Sequence, residues 1–322
     1  MKKIALVAAL AAVSASAFAQ SSVTLWGRIN TTIESQKFGS NDRKVVVQDN
    51  RSRLGVKGQE DLGGGLKASF ALEHGFDVDT GRQSSVGGSF WNRESSVQLS
   101  GAFGAVRLGS WTNGSYFATA DYVSMHNHDT GVSDDALYNP VAQSANKVGY
   151  FTPNIDGFTG EIAVAAGEGN TTRAIDLSGN YDQGPLHLGA GYSKKGSTKQ
   201  FAARALYELG EFTIGGYLQR QDYDGKTVNV LRLSGMYTMG ASEFHVNFGN
   251  AGDLKGVSDS GATQLTLGYN YNLSKRTKVY GFFTKIDNKA NGAYGPSAIA
   301  TGDKLPAGKD FNSLAIGVRH NF

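Results

Sequence analysis

The sequence predicts an all-β protein, a single antiparallel transmembrane β-barrel of 16 strands, and three observations support that reading. Apolar and polar residues alternate with a period of two, in run after run from residue 23 to residue 322. That is the signature of strands with one apolar and one wet face. Short turns alternate with longer polar loops, the asymmetry of a barrel with turns at one end and loops at the other. The composition, 43 glycines, 14 tyrosines and 17 phenylalanines against 5 prolines, suits many strands, tight turns and aromatic girdles.

Residues 1–19 read as a secretory signal peptide. Lys2 and Lys3 make a positive start, Ile4 to Val13 an apolar stretch, and Ala17-Phe18-Ala19 a small-x-small cleavage site. Residues 20–322 then form one domain. The apolar run of the leader is too short for a membrane helix, and no later stretch reaches that length. A barrel shows lipid only every second residue, so its mean hydropathy can look soluble. The formal net charge of +3 loses its two leader lysines on cleavage. No strong field remains to favour a nucleic-acid partner. There is no cysteine, hence no disulfide and no thiol nucleophile or ligand.

The first run places Val23, Leu25, Gly27 and Ile29 against Thr24, Trp26, Arg28 and Asn30. The second places Leu54, Val56 and Gly58 against Arg53, Gly55 and Lys57. After the turn DLGGG, Leu66, Ala68, Phe70 and Leu72 oppose Lys67, Ser69, Ala71 and Glu73. Similar runs recur through Ile162–Val164, Ile175–Tyr181, Leu186–Tyr192, Phe201–Tyr207, Phe244–Phe248 and Leu265–Tyr271. Expected short turns are DLGGG, GAFGA, TPNIDG, DQGP, ELGE, TMGAS and NLSKRT. Expected long loops lie near 36–50, 76–90, 112–146, 167–173, 193–198, 222–227, 250–260 and 287–310. In the final run Leu314, Ile316, Val318, His320 and Phe322 share one parity. Such a strand can close the sheet and leave no edge. A secreted soluble sandwich or propeller also alternates, but it has no reason to end on an aromatic strand.

Several segments carry a specific resemblance. RSRLGVKGQEDLGGGLKASFALEH at 51–74, RESSVQLSGAFGAVRLGS at 93–110, NKVGYFTPNIDGF at 146–158, LSKRTKVYGFF at 273–283 and the ending GVRHNF fall in the order and spacing seen in one family. On these segments the chain resembles the Gram-negative general porins, betaproteobacterial branch. The resemblance implies a homotrimer in the outer membrane of a Gram-negative bacterium, in contact with outer-membrane lipid and lipopolysaccharide. It also implies a third loop folded into the barrel. Phe322, with His320 on its parity, resembles the signal read by the barrel assembly machinery. The closing strand should pair with the first strand near Val23–Ile33.

Inward parity on the early strands carries Arg28, Arg53, Lys57, Arg107 and Glu73. Residues 112–146 hold Asp121, Asp129, Asp134 and Asp135 with no lysine or arginine, and Arg107 and Lys147 flank them. Acids on an inserted loop facing a basic wall would create a transverse field in a narrow, partly dehydrated gap. The resemblance adds Arg93 as a pore-wall arginine, although Arg93 shares parity with Val97 and Leu99. A bulge could re-aim it, or outward polarity there could belong to a subunit contact. Tyr116, Phe117 and Tyr122 are candidates for packing the loop onto the wall. Two departures weaken the positive set: Gln143 stands where many relatives have arginine, and Gly109-Ser110-Trp111 where many have GRQ.

These features predict a passive channel for small hydrophilic solutes and ions, weakly selective with a slight anion lean, with no cofactor and no catalytic site. The alternatives are a substrate-specific channel of the same fold, or a barrel serving as adhesin, receptor or enzyme. His126, His128 and Asp129 have the chemistry of metal ligands but lack a third partner of fixed geometry. The six histidines are scattered, with no nucleophile motif beside them.

Overall fold

The computed structural model describes residues 22–84, 88–123, 134–141, 145–169, 171–296 and 305–322. Its strands are β1 (Ser22–Phe38), β2 in two segments (Lys44–Asp49 and Arg53–Gly63), β3 (Leu66–Asp77), β4 (Glu94–Gly101), β5 (Gly104–Ser110) and β6 (Lys147–Phe151). They continue with β7 (Phe158–Ala165), β8 (Ala174–Gln183), β9 (Leu186–Lys195), β10 (Thr198–Leu209) and β11 (Phe212–Tyr223). The series ends with β12 (Lys226–Met239), β13 (Ser242–Ala251), β14 (Ala262–Asn272), β15 (Thr277–Asn288) and β16 (Phe311–Asn321). Both segments of β2 pair with β1 and are separated by Asn50-Arg51-Ser52, where Arg51 has φ of 64°. A two-residue ladder, Arg82–Gln83, folds back on the end of β3 within a loop.

Every strand pairs antiparallel with its neighbour, and β16 returns to β1, so the sheet is closed. The seam runs from Arg28↔Asn321 to Phe38↔Phe311. It is extended by reciprocal 3.0 Å bonds between the backbones of Gly27 and Phe322. The expected seam near Val23–Ile33 is thus shifted. The first residues of β1, Val23 to Trp26, overhang the last residue of the chain and pair only with β2.

All seven expected short turns lie at one end, beside Ser22 and Phe322. At the other end the loops are fewer than expected. β9 and β10 are joined by only Gly196 and Ser197, and β11 and β12 by Asp224 and Gly225, whose positive φ values of 57° and 86° suit a tight two-residue hairpin. β1 runs on to Phe38, so its loop shrinks to residues 39–43.

The outer face is apolar, with Ile33, Leu218, Leu314 and Ile316 each about three-fifths exposed or more. Aromatic pairs ring it near the short turns: Phe158–Tyr181 at 4.5 Å, Phe212–Tyr237 at 4.7 Å and Phe244–Tyr269 at 5.1 Å between centroids. Inside, polar side chains alternate with them, including Glu34, Gln36, Gln48, Gln200 and Gln264, all nearly inaccessible and hydrogen-bonded to one another or to the third loop. No helix among the described residues is long and apolar enough to cross a membrane.

The seam depends on close approach. A Cβ on Gly27 would collide with the Phe322 ring and lie 2.7 Å from the Arg53 carbonyl oxygen. Gly27→Val should therefore destabilise closure by about 1–3 kcal/mol, the usual cost of overpacking. Urea titration followed by heat-modifiable gel mobility should show an earlier midpoint; an unchanged midpoint would contradict the seam geometry.

Candidate pore constriction

The third long loop leaves β5, makes a helical turn at Gly114–Tyr116 and widens into a π-type turn at Phe117–Asp121. Its described parts bond to inward side chains of β8 through β14. The Ser115 amide donates to Asp176 Oδ1 at 3.0 Å, and its hydroxyl donates to Asp176 Oδ2 at 2.5 Å. Arg204 Nε donates to the Ala118 carbonyl at 2.6 Å, and Gln219 Nε2 to the Asn139 carbonyl at 3.0 Å. Gln264 donates to the Asp134 carbonyl at 2.7 Å and accepts from the Ala136 amide at 3.1 Å. Leu137 and Val123 are fully buried against Ala202, Tyr217 and Val230 of the wall. The loop is thus held by both polar and apolar contacts along one half of the inner wall.

The opposite half carries the partly exposed charges. Glu73 on β3 lies 3.7 Å from Arg53 Nη1 and forms a close ion pair with Arg93. Arg107 on β5 meets Glu94 at 3.5 Å, and its Nε donates to Gln98 Oε1 at 3.0 Å. Arg93 reaches the same carboxylate as Arg53 because it precedes β4 instead of lying within it, so strand parity does not govern it, and no bulge is needed. Arg51, Arg53, Glu73, Arg93, Glu94 and Arg107 share a cavity of about 460 Å³ with the loop residues Tyr116, Phe117, Asp121, Asp134, Asp135 and Tyr138.

Not every expected pore residue faces this space. Lys57 lines a second cavity of about 400 Å³ nearer the short turns, shared with Glu94 and Arg107. Its ammonium lies 6.0 Å from the Trp26 ring. Arg28 lies at the seam, where its Nε donates to Asn321 at 3.2 Å. Lys147 does not present a charge to water: it is 3% exposed and donates to the Trp111 carbonyl at 2.9 Å and to Asn113 at 2.8 Å. It ties down the start of the loop. Asp135 touches the cavity, but Arg232 holds it at 2.8 Å and the Tyr217 hydroxyl donates to it at 2.5 Å. Its side chain is 3% exposed, so most of its charge is matched inside the wall. His320 faces the short-turn end and contacts the Thr277 hydroxyl at 2.8 Å. His126, His128, Asp129 and Gln143 lie outside the described residues.

Arg204 and Arg232 are the wall arginines that residue-by-residue reading passed over. Both sit on inward parity, and that was their only signal in the sequence. The Arg204 guanidinium packs 3.4 Å from the Tyr122 ring centre, and the Tyr122 hydroxyl donates to Asp182 at 2.9 Å. Burial first, and then Asp182, pushes the Tyr122 phenol up to about 12, so it stays a neutral donor at ordinary pH. Burial does the same for Tyr138, with Asp176 and Asp135 adding to it, also to about 12. Of the three loop aromatics, Tyr116 packs against Tyr138 at 5.6 Å, Tyr122 packs under Arg204, and Phe117 stays half exposed toward the cavity.

A closed barrel with an apolar exterior and a narrowed, charged, water-accessible interior defines an outer-membrane channel. Comparison with known proteins supplies the family. Residues 5–291 match the model of the Gram-negative porin family, and the chain belongs to that family. It is 31% identical over its whole length, and the whole of the relative, to outer membrane porin protein 32 of Delftia acidovorans. It is 28% identical to the major outer membrane protein P.IB of Neisseria lactamica, over 87% of this chain and 91% of that one. Among solved structures it superposes on an anion-selective porin from Comamonas acidovorans with a TM-score of 0.77 and 29% identity, covering 94% of this chain and all of the other. The protein is an outer-membrane porin of a Gram-negative bacterium, a water-filled channel for passive diffusion of small hydrophilic solutes. Its relatives are named as porins or outer-membrane proteins, not as enzymes.

Removing one partner from a buried ion pair costs about 3–5 kcal/mol, whereas replacing both with apolar residues is close to neutral. Arg232→Met should therefore free the 134–141 segment and give noisier, larger single-channel currents in planar bilayers. Arg232→Met combined with Asp135→Leu should return toward the wild-type trace. Identical current histograms for all three proteins would remove this pair from the anchoring of the loop.

Proposed function

We propose that this porin is weakly selective with a slight preference for anions. The pairing of charges at the constriction supports the proposal most directly. Four arginines, Arg51, Arg53, Arg93 and Arg107, border the larger cavity. Against them stand Glu73 and Glu94 on the wall and Asp121 and Asp134 on the loop, once Asp135 is matched by Arg232 and Glu161 by neighbouring Lys147. The balance is near zero, and Lys57 in the adjoining cavity tips it positive. The anion selectivity named for the Comamonas relative agrees in sign. Arginines on one side and carboxylates on the other give a transverse field that orients dipolar solutes and separates the paths of cations and anions.

The mature chain begins at Gln20 after removal of residues 1–19, and it assembles as a homotrimer with its short turns toward the periplasm. The wall from β4 to β7 favours the trimer. These strands have 8, 7, 5 and 8 residues, against 12 to 14 in β10 to β12. A tilted strand needs about 9–11 residues to cross the hydrocarbon layer, so this low wall suits a subunit neighbour better than lipid. Phe322 and His320 present the closing strand to the assembly machinery.

Reversal potentials in a potassium chloride gradient test the selectivity. One unit charge about 6 Å from the ion path in water-like surroundings is worth roughly 0.7 kcal/mol, about threefold in the local concentration of each ion. Glu73→Gln should therefore raise anion preference, and Lys57→Gln with Arg107→Gln should move it toward cations. A clear cation preference in the wild type would refute the lean.

A further inference from the structure

The cavity on the short-turn side of the constriction has a wall unlike the charged one above it. Strand register lines up its inward residues in two rungs. Ser22 of β1 is opposite Gln59 of β2, Gln59 is opposite Ser69 of β3, Ser69 is opposite Gln98 of β4, and Gln98 is opposite Arg107 of β5. One step closer to the constriction, Thr24, Lys57, Ala71 and Ser96 follow one another in the same way. Neighbouring strands lie about 4.8 Å apart and the two rungs about 6.8 Å apart, so hydroxyl and amide groups form a dense grid across β1 to β4. All of these residues border the cavity of about 400 Å³, and no described residue of the third loop reaches it.

The grid is open to solutes, and its charges select among them. Among the described residues the side chains of Thr24, Gln59 and Ser69 make no hydrogen bond, and Thr24, Lys57 and Gln59 are exposed. Ser96 donates to Glu94 at 2.7 Å, and Gln98 accepts from Arg107 through its carbonyl oxygen, which leaves the Gln98 NH2 group to donate elsewhere. Glu94 matches the Arg107 charge at 3.5 Å. Lys57 has no ion pair among the described residues, and its ammonium lies 6.0 Å from the Trp26 ring. One uncommitted positive charge thus stands beside six uncharged hydrogen-bonding side chains. The inward parity supplies no apolar platform, and Phe70 borders the cavity from the outward parity. A single carboxylate meets the ammonium, and several hydroxyls can donate to and accept from the grid. We propose that this vestibule binds sugar acids, monocarboxylates that carry several hydroxyl groups, such as a hexuronate. The proposal rests on the reading of this chain as a weakly anion-preferring channel and adds a solute class to it. The constriction sorts by charge, and the vestibule sorts by hydroxyls. Binding on a conduction path is weak enough for the solute to leave, so it shows as a saturable block of current.

The probe is potassium galacturonate, titrated against the porin in planar bilayers at fixed potassium chloride. Single-channel current should fall along a saturating curve. Acetate, which offers the carboxylate alone, and galactose, which offers the hydroxyls alone, should each need roughly tenfold higher concentration for the same block. Gln59→Leu with Ser69→Val removes part of the grid and keeps every charge of the pore; it should weaken the galacturonate block about tenfold. Lys57→Gln should weaken it by a similar factor. A linear fall in current, an equal block by acetate or galactose, or an undiminished block in the Gln59→Leu, Ser69→Val variant would each overturn the proposal. The comparison of the three solutes is made on the wild type and needs no variant to fold. The reversal potential in potassium chloride reports the charges and not the grid, so the anion lean and the sugar-acid site can fail separately.

Discussion

Everything in this molecule follows from one constraint: in hydrocarbon, each backbone N–H and C=O must find its partner within the protein. An unpaired group there costs several kcal/mol. A sheet meets the demand only by closing, and here closure rests on β1 accepting β2 on one side and β16 on the other. The seam continues to the last residue because Gly27 leaves room for the Phe322 ring and pairs with its backbone in both directions. Once the sheet is closed, each strand has one lipid-facing side and one enclosed side. The two-residue period is the chemical record of that division.

Closure also creates a problem that the third loop solves. A 16-stranded barrel encloses more space than its own inward side chains fill. The loop occupies part of it, and the fixing contacts draw on charge as well as apolar area. Asp135 and Arg232, Asp176 with Ser115 and Ser193, and Lys147 with Asn113 are buried and paired, so they set the position of the loop and add little to the field seen by an ion. Arg53, Arg93, Glu73, Arg107 and Glu94 are partly exposed, with side chains 13–27% accessible, and remain available to solutes. The same residue types thus do two jobs, and exposure decides which.

Much of this was legible in the sequence. Alternation gave the strand count, the seven short turns and the inward parity of Arg53, Lys57, Glu73 and Arg107. Where the alternation failed, it failed for physical reasons. At 193–198 and 222–227 both faces of the hairpins are polar because they rise beyond the apolar band, so the period vanishes and paired strands read as loops. Arg93 seemed misplaced on parity because it sits one residue ahead of a strand. The burial of Lys147 and Asp135 depends on the path of the loop, and that path is written in distant partners such as Trp111, Tyr217 and Arg232. A two-residue period cannot report contacts separated by dozens of residues.

The division of each strand between oil and water can be read directly, because the chain contains no cysteine of its own. Single cysteines placed at Ser69, Ala71, Ser96 and Gln98, which line the lower cavity, and at Leu108, Val97, Leu265 and Leu267, which face outward, can be exposed to a hydrophilic maleimide in reconstituted membranes. A water-filled lumen predicts labelling at the first four, with a stepwise loss of conductance, and protection at the second four. Uniform labelling, or labelling on the opposite parity, would contradict it.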